Sequence, residues 1–288
     1  MNGFLLIDKP KGITSQGVVA KIKRQFQLNK CGHTGTLDPD ATGLLVVACG
    51  MATKTIPLLE EKEKKYLTTI VFGLDSNTLD VYGEITQEIK MNFSLEELDN
   101  ALDQLKTQTS QIPPMISAIK VHGKKLYEYA RKNQEVEVES RPIKIFKIEK
   151  KSELRCSNGH LEIDLEITCS KGFYVRSFAR DLGKVLKGCA IIKELRRLKS
   201  GDFSIENAVS LDQVTKENTI SIETVFSHFR TLEVNDYIAK LVKNGVVLDE
   251  RQIKTTEPFY IKHNCDIIAI YAPVEKYRYK PVLLFQER

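Results

Sequence analysis

The 288-residue sequence lacks any apolar run approaching the ~20 residues of a membrane-spanning helix. Its first residues, MNGFLLIDKP, meet charge too early for the apolar core of a secretory leader, so a cytoplasmic protein without membrane attachment is expected. The six cysteines (31, 49, 156, 169, 189 and 265) form no Cys-x-x-Cys pair and have no histidine at zinc spacing, which argues for reduced thiols and against a metal site. No glycine-rich phosphate-binding loop is present either. The net charge of +5 and pI near 8.7 fall short of the pI above ~9 of a dedicated basic domain.

What remains is ordinary globular composition, 42% hydrophobic and 28% charged, in a chain long enough for one large domain plus a small one. The basic residues cluster at 21–24, 122–125 and 193–199. Several such clusters flanking one site would favour a polyanionic partner.

The most informative stretch is residues 31–48, CGHTGTLDPDATGLLVVA. Glycines, a proline and small polar side chains precede an apolar run, so it reads as a structured loop feeding a buried strand. Pro39 disfavours helical backbone at Asp38, which leaves that carboxylate on an extended or turning segment. Asp38, Asp40 and Thr42 also fit the Asp-x-Asp-x-Thr pattern of Asp-nucleophile, Mg²⁺-assisted phosphotransferases. That pattern should follow a hydrophobic strand directly, and here it follows Gly-His-Thr-Gly-Thr.

Along the chain, residues 4–7 read as a short buried strand, and Ser15 as the cap of a helix with Val18, Val19, Ile22 and Phe26 on one face. Residues 44–49 and 66–73 read as strands with a short helix between them. Ser94 and Glu97 form a capping box before a helix carrying Leu95, Leu98, Leu102 and Leu105. Residues 112–120 are proline-stiffened and precede a short basic helix. The alternation Leu161, Ile163, Leu165, Ile167, Cys169 predicts a strand with one buried side. If the chain stays extended to Arg176, Tyr174 and Arg176 face one cleft and Ser177 caps the next helix. Asn235 or Asp236 starts a helix stopped by Gly245, and strand signals follow at 259–262, 267–271 and 282–285.

The string GHTGTLDPDATGLL closely resembles motif II of the TruB family of tRNA pseudouridine-55 synthases, and DKPKGITS resembles that family's opening motif. Lys65-Tyr66, KGFYVR at 171–176 and LRRL at 195–198 resemble its later motifs, and residues 74–80 resemble its Thr-Asp-Thr-x-Asp segment while departing from it at Ser76 and Asn77. The resemblance implies an α+β pseudouridine synthase fold with a mixed, largely antiparallel sheet. It implies a catalytic domain over 1–230, with an RNA-clamping insertion at about 110–140, and a small β-rich PUA-like RNA-binding domain over 231–288.

By the same resemblance Asp38 is the catalytic residue, ion-paired with Arg176. Tyr66 stacks on the target uracil, Tyr174 packs near it, Leu195 lines its pocket, and His33 enters the RNA loop where the base was. Asp80, Lys120, Arg131 and Arg197 are carried over as RNA contacts. The implied reaction, isomerisation of uridine 55 in the tRNA T-loop, has no net redox or hydrolysis step, so neither cofactor nor metal is expected. The expected partner is the T-arm of tRNA, bound by a monomer without a protein partner.

Overall fold

In the computed structural model, which describes residues 1–60, 63–117, 119–130, 132, 134 and 136–285, the chain builds one large mixed sheet and a smaller five-stranded one. The large sheet uses β1 (Gly3–Lys9), β2 (Cys31–His33), β3 (Thr42–Cys49), β4 (Lys64–Phe72), β5 (Ile145–Lys150), β6 (His160–Cys169), β7 (Ala190–Ser200) and β8 (Val209–Ser210). Its order is β5-β6-β4-β7-β3-β1-β8, with β2 alongside the end of β3. The pairs β7·β3 and β1·β8 are parallel; the remaining pairs among these strands are antiparallel. The fold is the α+β arrangement the motifs implied.

Both faces of β1 and β3 are covered, which is why these strands read as unbroken apolar runs rather than alternating ones. Leu5, Ile7, Leu45 and Val47 pack with Val18, Val19 and Ile22 of α1 (Ser15–Gln25). Phe4, Leu6, Leu44 and Val46 pack on the other side with Tyr260, Ile267, Ile270 and Phe285 of the small sheet. That sheet is formed by Arg230–Glu233, Leu248–Asp249, Phe259–His263, Asp266–Glu275 and Arg278–Leu284, and α4 (Asp236–Lys243) covers it. The shared apolar cluster joins the two sheets directly.

The other end of the large sheet alternates as expected. Ile163, Leu165, Ile167 and Cys169 are fully buried beneath α2 (Leu95–Lys106) and α3 (Val175–Val185). Ser94 and Glu97 close the predicted capping box on α2. The described residues between 112 and 140 leave this body through a neck in which Ser110–Gln111 pairs with Arg141–Pro142. Beyond the neck lie a two-residue-strand hairpin, Lys120–Val121 with Lys124–Lys125, and the helix Leu126–Ala130.

Two cap assignments differ from expectation. Thr14, not Ser15, caps α1, accepting from the Gly17 amide. Helix α3 begins at Val175 with Tyr174 as its cap residue, so the chain does not stay extended to Arg176, and the Ser177 hydroxyl bonds the Ile112 carbonyl instead. In both cases the serine lies inside the helix rather than at its cap, and its hydroxyl goes to a partner distant in sequence. No helix among the described residues is long and apolar enough to cross a membrane.

Candidate active site

The 34–41 loop between β2 and β3 is held by side chains from three distant segments. The Ser15 hydroxyl accepts from the Leu37 amide at 2.8 Å and donates to the Leu37 carbonyl at 3.0 Å. Lys9 is fully buried, and its Nζ donates to the carbonyls of Pro39, Pro10 and Ile13 at 2.8–2.9 Å. Burial pulls its pKa down to about 8, against the opposing pull of Asp40 and Asp38. Arg197, at 1% exposure, donates to the carbonyls of Leu44, Gly35 and Thr36.

Arg197 was expected to touch RNA. It is a buried buttress of the loop, its guanidinium bound to backbone carbonyls rather than presented to a phosphate. The strand period explains this: β7 places Leu195 and Arg197 on one face, and Arg197 sits opposite Tyr66 of β4. At the crossing of β7 with β3, Gly43 has φ +98°, and a Cβ there would lie 2.4 Å from the Arg197 carbonyl oxygen. Only glycine allows this approach.

Held in this way, Asp38 meets Arg176. Nε of Arg176 lies 2.9 Å from Oδ2 and Nη2 lies 3.0 Å from Oδ1, a bidentate pair. The same guanidinium donates to the carbonyls of Thr78 and Ile116, at 2.9 and 3.0 Å. It therefore ties the Asp38 loop, the 77–84 loop and the base of the 112–140 excursion to α3. Arg176 has only 5% of its side chain exposed, whereas Asp38 keeps 39%, enough to be reached from the cleft. Burial pushes the Asp38 pKa above the ordinary carboxylate range; Arg176 pulls it down and Asp80 adds to the rise.

Two cavities meet at this pair. One, of about 250 Å³, is lined by Asp38, Tyr66, Ser117, Tyr174, Arg176 and Leu195 among others. The second, about 230 Å³, shares Asp38, Arg176 and Leu195 and adds Asp80, Tyr82 and Ile116. Burial pushes the Tyr66 hydroxyl up to about 12 and raises that of Tyr174, so both rings are neutral phenols at physiological pH. The structure thus brings together Asp38, Tyr66, Tyr174, Arg176 and Leu195, contributed by four separate segments.

The other expected residues lie differently. His33 ends β2, half-buried, and its Nδ1 accepts from the Gly35 amide at 3.3 Å. Burial and then Arg197 lower its pKa, which keeps the ring neutral, and it lines neither cavity. Asp80 accepts from the Thr78 hydroxyl at 2.7 Å and the Tyr82 amide at 3.0 Å, which shapes the loop facing Asp38. Lys120 is exposed on the excursion's hairpin, and Arg131 lies outside the described residues. Sequence reading missed the loop-holding roles of Lys9 and Ser15, although both belong to the DKPKGITS string. Among the described residues no group of three or more His, Cys, Asp or Glu side chains could hold a metal ion.

Comparison with known proteins gives the family of the chain. Residues 23–175 match the model of the TruB family pseudouridylate synthase N-terminal domain, and residues 176–241 match that of the tRNA pseudouridylate synthase B C-terminal domain. The tRNA pseudouridine synthase B of Aster yellows witches'-broom phytoplasma is 40% identical over 289 residues, covering 99% of this chain and 100% of that protein. The Bacillus pumilus enzyme of the same name is 40% identical, over 95% of this chain and 90% of its own. Among solved structures, that of a Cbf5-Nop10-Gar1 complex superposes with a TM-score of 0.70 at 22% identity, over 99% of this chain and 85% of that one, a likeness of fold. Family models and near-full-length relatives agree, and the chain belongs to the TruB family of pseudouridylate synthases.

Proposed function

We propose that this enzyme isomerises uridine 55 in the T-loop of tRNA to pseudouridine, with Asp38 as nucleophile or base. The observation that carries the reading is the bidentate Asp38–Arg176 pair at a cavity walled by Tyr66, Tyr174 and Leu195. At about 250 Å³ the cavity is below the ~300–1,000 Å³ typical of drug-sized ligand sites, a size suited to a single nucleobase. A base stacked inside an RNA loop cannot reach Asp38, so the nucleotide must be flipped out at a cost of a few kcal/mol. Stacking on Tyr66, worth about 1–3 kcal/mol, offsets part of that cost.

In the reaction the N1 glycosidic bond breaks, the uracil turns in the cavity, C5 bonds to C1′ and the C5 proton leaves as N1 gains one. Nothing is oxidised or hydrolysed, so the roles fall to side chains. Arg176 orients the Asp38 carboxylate and favours its ionised form against the burial that opposes it. Tyr66 and Leu195 sandwich the detached ring. His33 fills the place the base left in the RNA loop. We read 1–230 as the catalytic unit, about 110–140 as its RNA clamp and 231–288 as a PUA-like RNA-binding unit, acting as a cytoplasmic monomer without a protein partner.

The test is tritium release from C5-labelled uridine in a T-arm hairpin, with EDTA present, by wild type and Asp38→Asn. Release by wild type alone, with hairpin binding retained by both, supports the reading. Binding without release by wild type would make the protein an RNA binder with a vestigial pocket.

A further inference from the structure

Outside the active site, Cys31 and Cys49 stand directly opposite one another on β2 and β3. The backbone bonds on either side fix the kind of pair this is. The Gly50 amide donates to the Lys30 carbonyl at 2.9 Å, and the Thr34 amide donates to the Val46 carbonyl at 3.1 Å. Residues 30 and 50, and 34 and 46, are therefore hydrogen-bonded pairs, and by alternation 31 and 49 are a non-hydrogen-bonded pair. Such pairs bring their Cα atoms to about 4.5 Å and their side chains closest together. A disulfide spans Cα separations of about 4.4–6.8 Å.

We propose that Cys31 and Cys49 are an oxidation site, closing to a reversible cross-strand disulfide at the root of the catalytic loop. Cys31 is half-buried and reachable, and Cys49 is fully buried behind it, so an oxidant meets Cys31 first. Hydrogen bonding with Cys49 also pulls the Cys31 thiol below its usual range and pushes Cys49 above it, which assigns the attacking thiolate to Cys31. With a small-molecule disulfide such as glutathione disulfide, the Cys31 thiolate attacks one sulfur and expels one thiolate. Cys49 then attacks the Cys31 sulfur of the mixed disulfide and expels the second. Two protein thiols are oxidised, one external disulfide is reduced to two thiols, and the two protons pass to the leaving groups.

The consequence follows from position. β2 runs straight into the 34–41 loop, and His33 lies two residues from Cys31, on the same face of the strand. Closing the sulfurs to about 2.05 Å shifts the start of β2 against β3, and the shift passes through the three residues of β2 to the start of that loop. Displacements of about 1 Å near reacting groups cost up to 10²-fold in rate. Oxidation accordingly slows turnover by about tenfold or more, and reduction restores it.

The experiment uses the full chain carrying Cys156→Ser and Cys265→Ser, which removes the two exposed thiols. The protein is equilibrated with glutathione and glutathione disulfide at graded ratios, quenched with an alkylating agent and mapped as peptides without reduction. The expected result is a 31–49 cross-link that Cys31→Ser abolishes. Persistent alkylation of both cysteines, or a Cys31 that stays glutathionylated, would overturn the proposal. The mapping needs no activity and stands whether or not the T-loop assignment does. Release of tritium from the hairpin, before and after dithiothreitol, reads the regulatory part. A fully cross-linked enzyme with unchanged turnover would refute that part.

Discussion

Arg176 grips Asp38 with two nitrogens, at 2.9 and 3.0 Å, while the same guanidinium holds the Thr78 and Ile116 carbonyls. One side chain thus sets the position of the carboxylate and of the two loops that frame its cavities. A lysine can supply the charge but not the fork.

Arg176→Lys should therefore lower kcat for hairpin turnover by about 10²-fold or more, the scale of a broken buried charge pair at 2–5 kcal/mol. Affinity for the hairpin should change by less than about tenfold, because Arg176 is buried beneath the cavity. Equal losses in filter-binding affinity and in turnover would count against a role in orienting Asp38.

The pH profile should carry the signature of the same pair. Burial raises the Asp38 pKa; with Asp38 acting as the nucleophile or base proposed above, activity climbs as pH rises through that raised value. The acid limb of kcat/KM should sit above the ~3.9 of a free aspartate. In Arg176→Met the cation that favours ionisation is gone, and the limb should move further up. A limb that moves down in this variant contradicts the assignment.

Lys9→Met removes the three bonds to Pro10, Ile13 and Pro39; the Pro39 carbonyl keeps the Gly12 amide as a donor, and the other two carbonyls lose the Lys9 ammonium. The expected loss is about 2–4 kcal/mol, from the ~1–3 kcal/mol of each unsatisfied group. Urea denaturation reads this loss, and turnover should fall with it, since Pro39 adjoins Asp38.

Gly43→Ala places a Cβ against the Arg197 backbone at a φ of +98°, where β7 and β3 cross. Strain of this kind costs about 1–3 kcal/mol, before any parting of the strands. A melting temperature unchanged by Gly43→Ala would show that the crossing yields more easily than its geometry indicates.

If the ring of His33 occupies the gap left by the flipped base, His33→Ala loses a stacking contact worth about 1–3 kcal/mol. Hairpin affinity should weaken by about tenfold, and flipping, followed by 2-aminopurine beside the target, should diminish. Unchanged affinity and fluorescence would remove that role.

What the sequence determined alone is what lies within a few residues. The Ser94–Glu97 capping box, the helix start at Asn235 or Asp236 and the alternation from Leu161 to Cys169 are local patterns, and the fold keeps them, with Asn235 as the cap of α4. The motif strings likewise named the residues that converge on the cleft, because each motif is short and contiguous. Tertiary structure decided the rest. The hydroxyls of Ser15 and Ser177 find partners 22 and 65 residues away, so a local cap rule misassigned both. An arginine in a basic string reads as a solvent-facing cation, yet Arg197 is spent on carbonyls 153 to 162 residues distant because its strand passes the 34–41 loop. Whether a charge meets solvent, a carbonyl or a carboxylate depends on which strands become neighbours, and that neighbourhood is set by burial of the whole sheet rather than by any local spacing.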